Sequence, residues 1–185
     1  SETMTGGPIA NEAKVVMISS SSTAAGVPEI GDYIFRNCLS DEVQAVQLAE
    51  YAVNEMGLKN FAVLYTNNDY GLSLKNAFEA KAKEIANVVD IETYNDGESD
   101  FRAQLTKIKG FNPDALYIAG YYTEAAKIAQ QARDQGLNAQ ILGADGFFSP
   151  KLIELGGNSV EGSVFTAGFF PDDPAEKVQK FVSEY

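Results

Sequence analysis

Short apolar runs alternate with amphipathic stretches along nearly the whole chain, and that alternation restricts the fold more than any other feature. Residues 15–19, 61–65, 88–94, 115–119, 140–143 and 163–168 are too short and too rich in β-branched or aromatic side chains for helices, so they are predicted as strands. Between them lie helical patterns. Ser40 is placed to cap a helix whose Ala45, Ala49, Ala52 and Met56 share one face before Gly57 ends it. Leu74, Ala77, Phe78, Ala82 and Ile85 make a second stripe, and Phe101, Leu105 and Ile108 a third. Thr123 is placed to cap the next helix, which Gly136 closes; Ser149-Pro150 and Asp173-Pro174 each set a capping side chain before a proline at the first helical position. Strands crossing over through helices give a parallel sheet, so the fold class is α/β. Residues 19–36 break the rhythm with a polar run, a Gly26-Val27-Pro28 turn and Tyr33-Ile34-Phe35, with no room for a crossover helix; they read as a crossing between two lobes.

Composition narrows the function. With 45% hydrophobic residues over 185 positions the chain can bury a core of its own. Its 14 basic and 26 acidic residues leave a net charge of -12, which repels nucleic-acid phosphates and anionic lipid headgroups. The sequence holds no histidine, and Cys38 is its single cysteine, so imidazole catalysis, zinc clusters and an internal disulfide framework are excluded. No apolar run approaches the roughly 20 residues of a membrane span. The ends are ragged: residues 1–11 read as the middle of an element and the last helix stops without a cap, as in a piece of a longer chain.

In open α/β sheets ligands gather beyond the carboxyl ends of the strands. Here those ends deliver Ser20-Ser21-Ser22-Thr23, then Asn67-Asn68-Asp69-Tyr70-Gly71, then Gly120-Tyr121-Tyr122, then Ala144-Asp145-Gly146. Hydroxyls and backbone N–H groups suit a carboxylate, one acid suits an ammonium, and aromatic faces suit a cation or an apolar body. Structural readings stand beside each. Asp145-Gly146 also fits a turn before the Ser149 helix, residues 20–23 a cap and flexible turn, Tyr121 and Tyr122 rim packing, and Tyr70 a staple for the following helix. Residues 67–69 and 96–100 lack the ligand pattern of a calcium loop, and Gly6-Gly7 and Gly156-Gly157 follow no strand as a phosphate loop does, so no metal or cofactor is expected. A serine nucleophile would need a base, and no lysine falls among the strand-end residues, so the chain is not read as an enzyme.

At Val16-Met17-Ile18-Ser19 with Thr23, Phe35-Arg36 with Ser40-Asp41 and Gln44, Asn68-Asp69-Tyr70-Gly71, Asp100-Phe101, Asn112-Pro113-Asp114-Ala115, Gly120-Tyr121-Tyr122 and Gly143-Ala144-Asp145-Gly146, the sequence resembles the branched-chain amino acid binding proteins of ABC importers. These belong to the type I periplasmic-binding family. The resemblance implies two three-layer α/β/α lobes, with residues 1–36 in the first, 37–161 forming the second and 162–185 returning to the first. It implies a periplasmic or extracellular protein, with or without a lipid anchor, that captures an amino acid and presents it to a transporter permease. By the same resemblance Ser21, through its backbone, and Thr23, through its hydroxyl and N–H, hold the ligand's carboxylate and amine. Tyr70 and Tyr121 contact the ligand, and Asp145 is the amine-binding acid. A further carboxylate-binding serine falls at or just before Ser1, making Ser1 a candidate equivalent. The serines at 20–22, where proline and alanine are common, point to a ligand more polar than leucine. The competing reading is a ligand-sensing domain of a regulator or amide receptor with the same architecture.

Overall fold

The computed structural model describes residues 2–185 and divides their strands between two sheets. The chain enters through a helix, Glu2–Glu12 (α1), and two short strands, Met17–Ser19 (β1) and Ile34–Arg36 (β2), which pair in parallel. Asp41–Asn54 (α2), Asn60–Thr66 (β3), Asp69–Ile85 (α3) and Asn87–Tyr94 (β4) follow. Arg102–Gly110 (α4), Ala115–Ala119 (β5), Tyr122–Asp134 (α5), Gln140–Gly143 (β6), Pro150–Gly156 (α6), Val164–Phe165 (β7) and Glu176–Glu184 (α7) complete the order. The larger sheet runs β4-β3-β5-β6-β7, with every pairing parallel.

Helices cover both faces of the central strands, which is why β3, β5 and β6 are apolar along most of their length, while β4 at the edge carries Asp90 and Glu92. From β3, Phe61 and Val63 join α2 and α3 in one cluster, while Ala62 and Leu64 join α4, α5 and α6 in the other. The result is a three-layer α/β/α unit. On the α2/α3 side the Phe78 ring stacks on Tyr117 at 4.0 Å and meets Phe61 edge-on at 5.5 Å, contacts that favour one packing over others.

Local signals set most boundaries. Ser40 Oγ accepts the Val43 N–H at 3.2 Å, and Ser149 Oγ accepts the Lys151 N–H at 3.3 Å ahead of Pro150. Gly57 and Gly136 both take φ of +71°, the left-handed conformation that ends a helix. Six expectations change. The first strand starts at Met17, because the Val15 N–H closes α1 onto the Ala10 carbonyl. Residues 34–36, read as a plain crossing, form β2 in register with β1. Thr123 lies inside α5, whose first turn begins at Tyr122 with no side-chain cap. Asp173 accepts the Ala175 N–H, but α7 starts only at Glu176. Ile85, at the end of its stripe, is exposed. The strand expected over residues 163–168 is only Val164–Phe165, which pairs with β6 before the chain leaves the larger sheet.

Candidate functional site

The carboxyl ends of β3, β5 and β6 meet the loop after β1. Asn68 starts α3 by accepting the Gly71 N–H at 2.9 Å, which puts Tyr70 in the first helical turn. Position 71 tolerates only glycine, since a Cβ there would lie 2.1 Å from the Thr66 carbonyl oxygen. Tyr70 is buried. Its hydroxyl donates to Asp145 Oδ1 at 2.7 Å and accepts the Gly146 N–H at 2.9 Å. Its ring stacks on Tyr121 at 4.9 Å with 22° between planes. Burial first, and then the negative charge of Asp145, push the Tyr70 phenol well above its ordinary range, so it stays a neutral donor.

Asp145 opens a single 3₁₀ turn, Asp145–Phe147, after β6. Its backbone N–H donates to Gln44 Oε1 at 3.2 Å, and the same oxygen accepts the Thr166 hydroxyl at 2.9 Å. Gly146 is as constrained as Gly71: a Cβ would sit 2.5 Å from the Gly120 carbonyl oxygen and 2.8 Å from the Tyr70 hydroxyl. Opposite, the loop after β1 is folded by its own hydroxyls. Ser19 Oγ accepts the Ser22 N–H at 3.0 Å and donates to Ser22 Oγ at 2.7 Å. Arg36 Nη1 then donates to the Thr23 and Ala24 carbonyls, each at 2.9 Å, and the Asp41 N–H reaches the Thr23 carbonyl at 2.9 Å.

Together these elements bound a cavity of about 320 Å³ onto which Ser21, Thr23, Tyr70, Tyr121 and Asp145 all open. Ser1 lies outside the described residues. Sequence reasoning missed Glu2 of α1 and Ala24, which also line it, as do Ser22 and Gly146 of the stretches it quoted. It quoted Gln44 and Asp41 within a motif without seeing that both are buried beside the site. Asp41 is fully excluded from solvent, and burial is the main cause raising its carboxyl to about 6, with Asp145 adding and the Thr23 and Ser73 hydroxyls opposing. Burial, followed by Asp96, Glu2, Asp145 and Asp41, raises the Tyr121 phenol to about 12. The cavity is therefore a negative, hydroxyl-lined recess with two stacked phenols, and no basic side chain is on its described lining. It can hold a cation on a carboxylate and an anion on hydroxyls and N–H groups. Among the described residues no group of three or more acidic or cysteine side chains is placed for a metal ion, and no helix is long and apolar enough to cross a membrane.

A family model described as periplasmic binding protein matches residues 1–185. A Leu/Ile/Val-binding protein homolog of Brucella melitensis is 30% identical over 160 residues, covering 85% of this chain and 44% of the relative. The crystal structure of a leucine binding protein, LivK, from Thermotoga maritima superposes with a TM-score of 0.90 at 38% identity, covering 99% of this chain and 53% of that one. LivJ, a branched-chain amino acid transporter substrate binding protein from Streptococcus pneumoniae solved in complex with isoleucine, gives a TM-score of 0.71 at 35% identity, over 80% of this chain and 42% of that one. The chain thus spans about half the length of the relatives it matches.

Proposed function

We infer a function from one premise: the chain belongs to the periplasmic binding protein family, whose model matches it over residues 1–185. It is the ligand-capturing part of an extracytoplasmic solute-binding protein that takes up an amino acid between two lobes and delivers it to the permease of an ABC importer. Residues 1–36 supply one wall of the cleft, residues 37–161 the other, and 162–185 lead back toward the first. Ser21 and Thr23 hold the ligand's carboxylate and amine, with Ser1 a candidate for the carboxylate ahead of them; Asp145 takes the ammonium; Tyr70 and Tyr121 contact the ligand. The protein binds and releases without a chemical step, because the described lining pairs no nucleophile with a base. It works in the periplasm or outside the cell.

The observation that carries this reading is the Tyr70–Asp145–Gly146 hydrogen-bond chain facing the Thr23 loop across one cavity. One oxygen of Asp145 is fixed by Tyr70, leaving the other for an ammonium, and a charge-assisted bond of that kind contributes about 1.5 to 3 kcal/mol. The isoleucine complex of the similar LivJ supports an amino acid as ligand. Closure of two lobes removes water from both ends of a zwitterion at once, which is what a hinge-bending receptor needs for affinity. Calorimetric titration of the full-length protein with leucine, isoleucine, valine and serine tests the reading; saturable one-to-one binding of at least one is expected. Absence of binding for all of them, in a folded protein, would overturn it.

A further inference from the structure

The described lining of the cavity carries two acids, Glu2 of α1 and Asp145 after β6, and the binding scheme above uses only Asp145. Glu2 is held at the cavity through its neighbour. Thr3 and Ser22 share a hydrogen bond between their hydroxyls at 2.6 Å, and Ser22 is tied in turn to Ser19 Oγ at the end of β1. The first turn of α1 is thereby seated on the loop that carries Thr23. Glu2 is exposed there, and no lysine or arginine shares the described lining with it. Arg36 opens on a neighbouring cavity that shares Ser21 and Asp145, but its Nη1 is committed to the Thr23 and Ala24 carbonyls.

The rest of the lining suits charge better than it suits a hydrocarbon. Ala24 is the single aliphatic side chain on the described lining, beside hydroxyls and two phenol rings. An aliphatic group is stabilised by leaving water for other apolar surface, and here it would meet one methyl group and the rings. A cation finds more. Tyr121 stacks on Tyr70 yet is 41% exposed, so ring surface remains for a positive charge. The charges that act most on the Tyr121 phenol, those of Asp96, Glu2, Asp145 and Asp41, are all negative.

We propose that the cavity selects amino acids with a cationic side chain, of the lysine or arginine kind, with Asp145 taking the α-ammonium and Glu2 the side-chain cation. This deepens the amino-acid reading above and rests on it. The reason is charge balance. A zwitterion without side-chain charge leaves one of the two acids without a counter-charge and sets its own carboxylate in their field. A basic amino acid brings two positive groups for the two acids, while its carboxylate goes to the hydroxyls and N–H groups of the Thr23 loop. The volume of about 320 Å³ has room for one such molecule. Glu2 is then a specificity residue, since it meets the part in which amino acids differ, and the ligand class departs from the isoleucine of the similar LivJ.

Titration calorimetry of the full-length protein with two pairs of similar shape, lysine against norleucine and arginine against citrulline, tests this. One member of each pair lacks the side-chain charge. Lysine and arginine are expected to bind about tenfold more tightly than their partners, and added salt should narrow the gap. Glu2→Gln should weaken lysine and arginine about three- to tenfold and leave norleucine and citrulline within about twofold, a split that a general folding defect would not produce. Glu2 is exposed, so the exchange leaves the core untouched. Neutral partners that bind as tightly as the charged ones, or a Glu2→Gln protein that keeps the full preference, overturn this proposal alone. No binding of any amino acid overturns it together with the functional reading.

Discussion

Tyr70 and Asp145 lie 75 residues apart in sequence, and the hydroxyl of one donates to the carboxylate of the other at 2.7 Å. The Gly146 N–H closes on the same hydroxyl at 2.9 Å, so the phenol fixes both the acid and the backbone that carries it. Tyr70→Phe removes that link while keeping the ring stacked on Tyr121. Affinity for the amino-acid ligand is expected to fall about tenfold, with thermal stability changed by only a few degrees, because one charge-assisted bond is lost and little packing is. Titration calorimetry with parallel thermal melts checks this; an unaltered affinity would remove Tyr70 from the positioning of Asp145.

The two buried-side acids should separate cleanly by magnitude. Asp145→Asn removes the charge that meets the ammonium and is expected to weaken binding by about a hundredfold. Asp41 is buried beside the cavity and is not on its described lining, so a smaller loss, about three- to tenfold at pH 7.5, is expected for Asp41→Asn. Dissociation constants of the two variants, measured under one condition, decide it. Equal losses would mean that Asp145 is no more than the turn residue its Asp-Gly dipeptide suggests.

Gly146→Ala tests the close approach of backbone to ring. The added methyl would meet the Gly120 carbonyl oxygen at 2.5 Å and the Tyr70 hydroxyl at 2.8 Å. Since Gly120 directly follows the buried strand β5, the Asp145 turn is the part that must move. Expected are loss of measurable binding and destabilisation on the order of 1–3 kcal/mol in urea unfolding. Wild-type affinity in this variant would mean that the turn does not need its observed position.

Asp41 also predicts a stability profile. Its folded carboxyl is raised to about 6 from an ordinary 3.8, so folding favours its protonated form. The stability it contributes is fully present below about 3.8 and is lost as pH rises through about 6. At pH 7.5 Asp41→Asn should therefore be the more stable protein, by on the order of 1–2 kcal/mol, and the advantage should shrink toward pH 4. Denaturant midpoints of both proteins across that range measure it, and a variant less stable at pH 7.5 would contradict it.

What the sequence determined by itself is the layer plan and most element ends, because these depend on neighbours a few residues away. The apolar runs around Phe61, Ala115 and Gln140 mark strands buried on both faces, and the hydroxyls of Ser40 and Ser149 cap helices three and two residues on. It also named most of the cavity lining, since the carboxyl ends of β3, β5 and β6 converge in one sheet whatever lies between them, though only the fold brings the loop after β1, from the other sheet, to meet them. Tertiary structure decided the rest. The strand Ile34–Arg36 has three residues, too few to show a period, and exists only because Met17–Ser19 offers it a partner. Nothing in the sequence around Asp41 marks it as buried, and the Thr23 loop and α3 folding over it take it out of solvent. Gln44 reaches Asp145 across 101 positions, and no local pattern encodes that contact. Hydrogen bonding and charge between distant segments make the site, and both depend on distance in space while remaining blind to separation along the chain.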